Sequence, residues 1–548
     1  MQDSNHQGIV LAQSGRLQEA IQLFRQASLE QPQFAGVWSN LGNALRLTAQ
    51  LDAAREALHQ ALKLQPEHFD ARFNLAMLEM DASQLDAASA HMKVLQTMRP
   101  GHAGLSVQLA AVAQRLFQWE EAQAQHAHLW RACQNSVPLD ESPLFIQAIF
   151  DDPALQASLA RLYGWPRFQA ARAGGVSWPV AQRRSGRLRI GYLSSDLFQH
   201  ATLFLIHDAL RTHDRARVEV FVYSHGAHAD GLTQSLAQGV EHFVNLHGLA
   251  PQVQMARIRE DALDVLIDLK GYTKDSAVHL LAGRLAPVQW HWLGYPGSLG
   301  VPEYVDGIVA DRVLVPPGLR ALYPEQVITL EGSYQPSARE RLTGSASPDV
   351  QAPAGSILLG NFNQGYKHTQ PVVQAWLQIL QKVPQALLCL LDDLTPTAKT
   401  RLLDMAATQG VSAQRIRFLP KCDPANHLAR LSHMHLILDD FPYNGHTSTS
   451  DALWCGVPVL TMCGRSLASR VSASLLTALN MSALVTLDIA QYIQKAVELL
   501  QDPQQLQHWQ HHLRDSRASS PLYDAGLFAG QLEAAALQAH QRKQRSGP

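Results

Sequence analysis

A period of 34 residues at the start of the chain limits its fold more than any other feature. Pro32, Pro66 and Pro100 lie one period apart; Ala20, Ala54, Ala88 and Ala122 keep the same step, as do Gly8, Gly42, Ala76 and Ala110. A period of this length marks helical hairpins that cannot bury their apolar faces alone and so stack on one another. Small residues such as Gly42 and Ala54 let two antiparallel helices approach closely. Trp38, Leu41 and Leu58 fill the space between them, and each proline ends a second helix before the next hairpin starts.

These columns resemble the tetratricopeptide repeat over residues 1–134, with the best copy at 35–68. Such arrays wind into a superhelix whose inner face commonly holds extended peptides. The resemblance therefore implies a groove for protein or peptide partners, or else a scaffold or dimer surface.

The pattern loosens over residues 135–186, where Pro138, Pro143, Pro153, Pro166 and Pro179 precede the basic pair Arg183-Arg184. One connecting helix is predicted there, from Pro153 to Tyr163. Apolar runs then alternate with helical segments, the signature of βαβ units and parallel sheets. Strands are predicted at Leu188–Leu193, Val218–Tyr223, Val265–Leu269, Val288–Leu293 and Val305–Ala310. A second series follows at Ile357–Asn361, Ala386–Leu391, Ile416–Leu419, Leu436–Asp439 and Val457–Met462. Residues 337–355, rich in Ser, Pro, Ala and Gly, read as a linker between the two series. The fold expected is an α-solenoid followed by an α/β unit of two Rossmann-like lobes, residues 187–336 and 356–548. Ligands belong at the carboxyl ends of such strands, in the cleft between lobes.

Composition removes several classes of function. A net charge of −2 gives no electrostatic reason to expect nucleic acid or a membrane surface as partner. No apolar run is long enough to span a bilayer, and Met1-Gln-Asp-Ser-Asn-His-Gln lacks the character of a secretory signal. Five scattered cysteines (Cys133, Cys389, Cys422, Cys455, Cys463) suit a reducing cytoplasm better than a disulfide framework. Gly191-Tyr-Leu-Ser-Ser-Asp, after the first strand, is no dinucleotide fingerprint, and the chain has neither a P-loop nor an Asp-x-Asp. A diphosphate would have to be held without metal.

Four segments have the residue types for that. In Asp439-Asp-Phe-Pro-Tyr-Asn-Gly-His-Thr-Ser-Thr-Ser-Asp451 a strand ends, a polar turn follows, and Thr447 or Ser448 opens a helix through Leu453-Trp454. Free N–H groups and hydroxyls at such a helix start suit a diphosphate, and Asp451, one turn in, suits ribose hydroxyls. An ordinary capped helix fits the same residues. Asn361-Phe-Asn-Gln-Gly-Tyr-Lys367 offers Lys367 to phosphate oxygens and Gln364 as a neutral donor, although a lysine in a loop is commonly only solvated. Leu293-Gly-Tyr-Pro-Gly-Ser-Leu-Gly300 is a glycine-rich turn that either approaches a ligand or simply turns. Ser194-Ser-Asp-Leu-Phe-Gln-His-Ala-Thr202 brings Asp196 and His200 to the end of the first strand, where either handles a proton or merely packs. His508, His511 and His512 read as an exposed helix face, not a metal site.

Together these segments resemble the protein O-linked N-acetylglucosamine transferases, which place tetratricopeptide repeats before a glycosyltransferase of GT-B type. The resemblance covers residues 187–515 and rests on GYLSSDLFQHAT (191–202), DLKGYTKDSAVHLLAGRLAPVQWHWLGYPGSLG (268–300), GNFNQGYK (360–367), NGHTSTSD (444–451) and GRSLASRVSASLL (464–476), all in the family's order. It implies uridine diphosphate N-acetylglucosamine as donor, Ser and Thr side chains of proteins as acceptors, inversion at the sugar, and no metal or other cofactor. It further implies that Gln364 and Lys367 meet the diphosphate and that His446, Thr447 and Ser448 hold the phosphates and face the sugar. Asp451 would bind ribose, His427 would stack on uracil, Gly294 and Pro296 would line the sugar, and Asp196, His200 and Thr202 would lie by the acceptor. Animal members carry a lysine three residues before the stacking histidine, where this chain has Pro424. They also carry a long insertion between lobes that is absent here. Both departures, with the short array, resemble a bacterial member. Relatives that move fucose from guanosine diphosphate, or hexose to asparagine, are the neighbouring readings; a non-catalytic scaffold with a vestigial pocket is the reading from another class.

Overall fold

The computed structural model describes residues 4–13, 16–173, 186–339, 341, 343–344 and 350–546. Pro179, Arg183 and Arg184 of the connector, and positions 340, 342 and 345–349 of the predicted linker, lie outside them. Two compact units are present. One runs to Ala132 and takes in Thr395–Thr400; the other holds Cys133–Leu394 and the chain from Arg401 onward.

The period of the sequence is also a period of geometry in the first unit. Its helices pair as Ser4–Gln13 with Leu17–Glu30, Ala35–Leu47 with Leu51–Leu64, and Phe69–Asp81 with Leu85–Met98, and Ala103–Arg115 and Trp119–Gln134 follow in the chain. Ala49, Ser83 and Phe117 all adopt positive φ. Just beyond each, Gln50, Gln84 and Gln118 donate their N–H to the carbonyls of Leu45, Glu79 and Ala113. This left-handed stop satisfies carbonyls that the helix end leaves open. A Cβ on Gly42 would sit 2.5 Å from Leu58 Cγ and 3.2 Å from the Ala54 carbonyl, so glycine is what lets that hairpin close.

In the second unit the first lobe contains β1 (Leu188–Ser194), β2 (Val218–Ser224), β3 (His242–Asn245), β4 (Val265–Asp268), β5 (Val288–His291), β6 (Gly307–Asp311) and β7 (Gln326–Leu330). The second contains β8 (Ile357–Asn361), β9 (Ala386–Leu391), β10 (Ile416–Leu419), β11 (Leu436–Leu438), β12 (Val459–Met462) and β13 (Val485–Thr486). All pairings are parallel, in the orders β3-β2-β1-β4-β5-β6-β7 and β10-β9-β8-β11-β12-β13. Strand order reverses between β1 and β4 and again between β8 and β11, and such switch points open a crevice at the carboxyl ends.

The connector helix runs from Pro153 to Ala173, past the predicted end, with Pro166 inside it. Proline cannot bond the carbonyl four residues back. That carbonyl, Leu162, accepts instead from the Leu139 N–H at 3.1 Å, which removes the reason to stop. The last helix, Ala525–Ser546, follows the second lobe in sequence but packs on the first. Phe528 stacks on Trp292 at 5.3 Å, and buried Glu533 accepts from His213 Nδ1 at 2.9 Å and the Asp214 N–H.

Candidate active site

At the second switch point the chain leaves β8 and makes a single helical turn, Gly365–Lys367, with Gln364 exposed at its start. Lys367 is only 8% exposed. Its ammonium donates to the Asn444 carbonyl at 2.9 Å and lies 4.0 Å from the centre of the Tyr443 ring. Burial lowers its pKa to about 8, against the fields of Asp440 and Asp439. Those two carboxylates are occupied. Asp440 accepts from Asn361 and Asn363 Nδ2, each at 2.8 Å, and contacts His368 Nδ1 at 2.8 Å. Asp439 accepts from the Gly445 N–H at 2.7 Å and Thr461 Oγ1 at 2.7 Å, and burial pushes its carboxyl up to about 6. Among the described residues Lys367 makes no ion pair; its ammonium meets only that carbonyl and that ring.

Opposite stands the helix Thr447–Trp454, with His446 at its N-cap position and no side chain capping its first turn. A Cβ on Gly445 would lie 2.5 Å from Thr449 Oγ1 and 2.7 Å from Ser448 Oγ, so only glycine lets the chain enter this tightly. Ser448 Oγ donates to Asn363 Oδ1, tying the helix start to the loop that carries Lys367. Burial, then the neighbouring Lys367, holds His446 well below the usual imidazole range, so it is neutral. Its Nε2 is buried without a partner, an orphaned polar atom of the kind a ligand satisfies.

Farther along, His427 lies on the helix Pro424–Leu431, edge-on to Phe362 at 5.5 Å and 3.0 Å from Arg430 Nη2. Pro424 is the first residue of that helix, capped by Asp423, so it supplies no cation. Asp451 is less free than the sequence reading has it: Arg341, in the interlobe segment, pairs with its Oδ1 and also donates to Ser337 Oγ at 3.0 Å.

The first switch point holds the other set. Asp196, expected to handle a proton, is committed elsewhere: buried Lys270 donates to its Oδ2 at 2.6 Å, and Ser195 Oγ to its Oδ1 at 3.3 Å. His200 Nδ1 accepts the Thr202 N–H at 3.3 Å and lies 3.5 Å from Asp196 Oδ2. Burial, opposed by Asp196, lowers its pKa, which leaves it neutral near pH 7. Gly294 has no room for a side chain, since a Cβ would be 2.3 Å from the Leu269 carbonyl. Pro296 is buried beside Tyr295. A direct link crosses the cleft where Gln335 Nε2 donates to the His446 carbonyl at 3.3 Å.

The profile of glycosyl transferase family 41 matches residues 176–337 and 336–532, well over half of the chain. The chain belongs to glycosyl transferase family 41. Tetratricopeptide profiles match residues 11–59 and 40–103. A relative from Petunia hybrida, named a probable UDP-N-acetylglucosamine–peptide N-acetylglucosaminyltransferase SPINDLY, is 31% identical over 392 residues, 70% of this chain and 41% of its own. The Arabidopsis thaliana protein of the same description called SEC is 32% identical over 387 residues, 68% of this chain and 39% of its own. This family 41 chain thus spans about two fifths of the length of the curated relatives it matches. A solved mutant O-GlcNAc transferase from Thermobaculum terrenum aligns over 99% of this chain and 98% of its own, with a TM-score of 0.71 and 24% identity. That likeness shows the fold, helical repeats followed by a GT-B pair of lobes.

The switch points thus gather Gln364, Lys367, His427, His446, Thr447, Ser448 and Asp451 on one side, and Asp196, His200, Thr202, Gly294 and Pro296 on the other. Lys270 and Arg341 were missed by the sequence reading. Lys270 had a signal, since it follows β4 directly, at the same kind of strand end as Asp196. Among the described residues no three His, Cys, Asp or Glu side chains come together as a metal site, and no helix is long and apolar enough to cross a membrane.

Proposed function

We propose that this family 41 chain is an inverting, metal-independent glycosyltransferase that moves N-acetylglucosamine from uridine diphosphate N-acetylglucosamine to Ser and Thr hydroxyls of proteins, in a bacterial cytoplasm. The observation that carries the reading is Lys367, a buried ammonium without a carboxylate partner, held on the Asn444 carbonyl in the turn that leads into an uncapped helix at Thr447. A leaving diphosphate supplies the charge that both lack. Lys367, the N–H groups of the first helical turn and exposed Gln364 stabilise the negative charge that grows as the glycosidic bond breaks, and neutral His446 gives its unpartnered Nε2 to the phosphate or the sugar. Asp451 meets the ribose with the oxygen that Arg341 leaves free, and His427 stacks on the base. Gly294 and Pro296 let the backbone close on the sugar.

The acceptor hydroxyl attacks the anomeric carbon from the first-lobe side, in line with the departing diphosphate. Asp196 is a poor base while Lys270 holds it. His200 is neutral; it takes the proton at Nε2 only in the tautomer with the ring proton on Nδ1, which gives up the Thr202 N–H that Nδ1 accepts here and donates to Asp196 Oδ2 instead. The tetratricopeptide groove receives the protein acceptor.

The test is mass spectrometry of a peptide library incubated with the full chain, EDTA and each of two donors, uridine diphosphate N-acetylglucosamine and guanosine diphosphate fucose. The reading expects an N-acetylhexosamine on Ser or Thr from the first donor. A deoxyhexose from the second donor alone would move the assignment to a fucosyl transferase. No product from either would leave a scaffold.

A further inference from the structure

Between the array and the first lobe, the chain makes a short turn of helix, Pro143–Ala148, and reaches Asp151 before the long connector helix begins. Its sequence neighbours give Asp151 no catalytic look. Its carboxylate is nevertheless spent on a loop more than three hundred residues away. Oδ2 accepts the Arg465 N–H at 2.8 Å; Oδ1 accepts the Ser466 N–H at 2.7 Å and Ser469 Oγ at 2.9 Å. The fit leaves no slack, since a Cβ on Gly464 would lie 2.3 Å from Asp151 Oδ2.

What that loop does next is what matters. Its Ala468 carbonyl accepts the Asn444 N–H at 3.0 Å, and the carbonyl of the same Asn444 is the acceptor of the Lys367 ammonium at 2.9 Å. A second arm reaches the same place. Phe145 meets Tyr366 edge-on at 5.1 Å, Tyr366 faces Tyr443 at 6.1 Å, and Lys367 lies over the Tyr443 ring. Ala148, Tyr443 and Ala468 form one buried apolar cluster beneath these contacts.

We propose that the connector segment 143–151 is part of the donor site and that Asp151 is a positioning residue, setting the place of Lys367 through the 464–469 loop and Asn444. The inference rests on the reading of Lys367 as the diphosphate cation. A carboxylate that fixes two backbone N–H groups and a hydroxyl at once makes the loop rigid, and the loop in turn fixes the peptide that aims the ammonium. Anything that moves the connector then moves the cation.

The test is a double-mutant cycle on affinity for uridine diphosphate in the full chain, by calorimetry, with folding followed by circular dichroism. Lys367→Ala alone should weaken binding strongly; binding unchanged in that variant would refute the donor-site reading itself. Given that loss, Asp151→Ala should weaken binding about tenfold in the wild-type background and less than about twofold in the Lys367→Ala background. A merely structural Asp151 would lower the melting temperature and weaken binding equally in both backgrounds, or not at all, and that result overturns the proposal. Asp151→Asn keeps two of the three hydrogen-bond partners and should recover most of the affinity. Should Asp151→Ala not fold, Ser469→Ala removes one of the three contacts. It should show the same dependence on Lys367 at about two- to threefold, and an equal effect in both backgrounds would again overturn the proposal.

Discussion

Each lobe buries one lysine at the carboxyl edge of its sheet, beside the strand where the order reverses. In the first lobe Lys270 is closed off by Asp196 at 2.6 Å, a pair with both side chains largely out of water. In the second lobe Lys367 is also buried, yet the two nearby aspartates are saturated by Asn361, Asn363, Gly445 and Thr461, and the ammonium meets only a carbonyl and a ring. One buried lysine has its counter-charge within the protein, and the other meets no carboxylate. Two lobes of the same winding thus differ in how they balance a buried charge.

The comparison can be broken by exchanging either lysine for methionine. Lys270→Met leaves Asp196 buried without its partner and should destabilise the fold by about 3–5 kcal/mol, seen as a fall in melting temperature. Lys367→Met should cost two or more orders of magnitude in turnover, roughly the scale of one lost preorganised charge contact, while raising the melting temperature. The sign follows from the depressed pKa. Below about pH 8 folded and unfolded chains both carry the Lys367 proton, and the burial penalty is constant. Between about 8 and 10.5 the unfolded chain keeps a proton that the folded chain has released, so stability rises with pH. A pH series of melting temperatures should show that rise in the wild type and not in Lys367→Met.

Smaller changes sharpen the contrast. Gly294→Ala drives a Cβ onto the Leu269 carbonyl, and because backbone must shift to relieve it, kcat/KM for the donor should fall about tenfold or more. Ser448→Thr keeps the hydroxyl that donates to Asn363 and should change donor kinetics by less than about threefold, the size of an ordinary tolerated substitution. EDTA should leave turnover unaltered.

Much of this was legible before the structure. The 34-residue period gave the array because its columns mark contacts that recur, down to the positive φ at Ala49, Ser83 and Phe117. Strands β8 and β9 fall on their predicted residues because they are largely buried runs with clear ends, and the shorter β10 matches as well. Three strands escaped for the opposite reason: β3 is half exposed throughout, β7 alternates at the sheet edge, and β13 is two residues long. Pro166 reads as a stop and predicts an end at Tyr163; the helix continues because the Leu139 N–H, distant in sequence, takes the orphaned carbonyl. For the site, residue types after strand ends were enough to find Lys367 and His446. Partners were not, since Lys270 against Asp196, Arg341 against Asp451 and Asp151 against the 464–469 loop join segments far apart in the chain. No spacing encodes them.

The central claim is that Lys367 carries charge for a nucleoside diphosphate and Lys270 does not. The most direct measurement is the thermal stability of wild type, Lys367→Met and Lys270→Met with uridine diphosphate and EDTA present. Ligand at a hundredfold excess over its dissociation constant should add about 2.7 kcal/mol to the native state. The account predicts that gain for the wild type, a similar gain from a lower starting point for Lys270→Met, and almost none for Lys367→Met. An undiminished gain in Lys367→Met would contradict it.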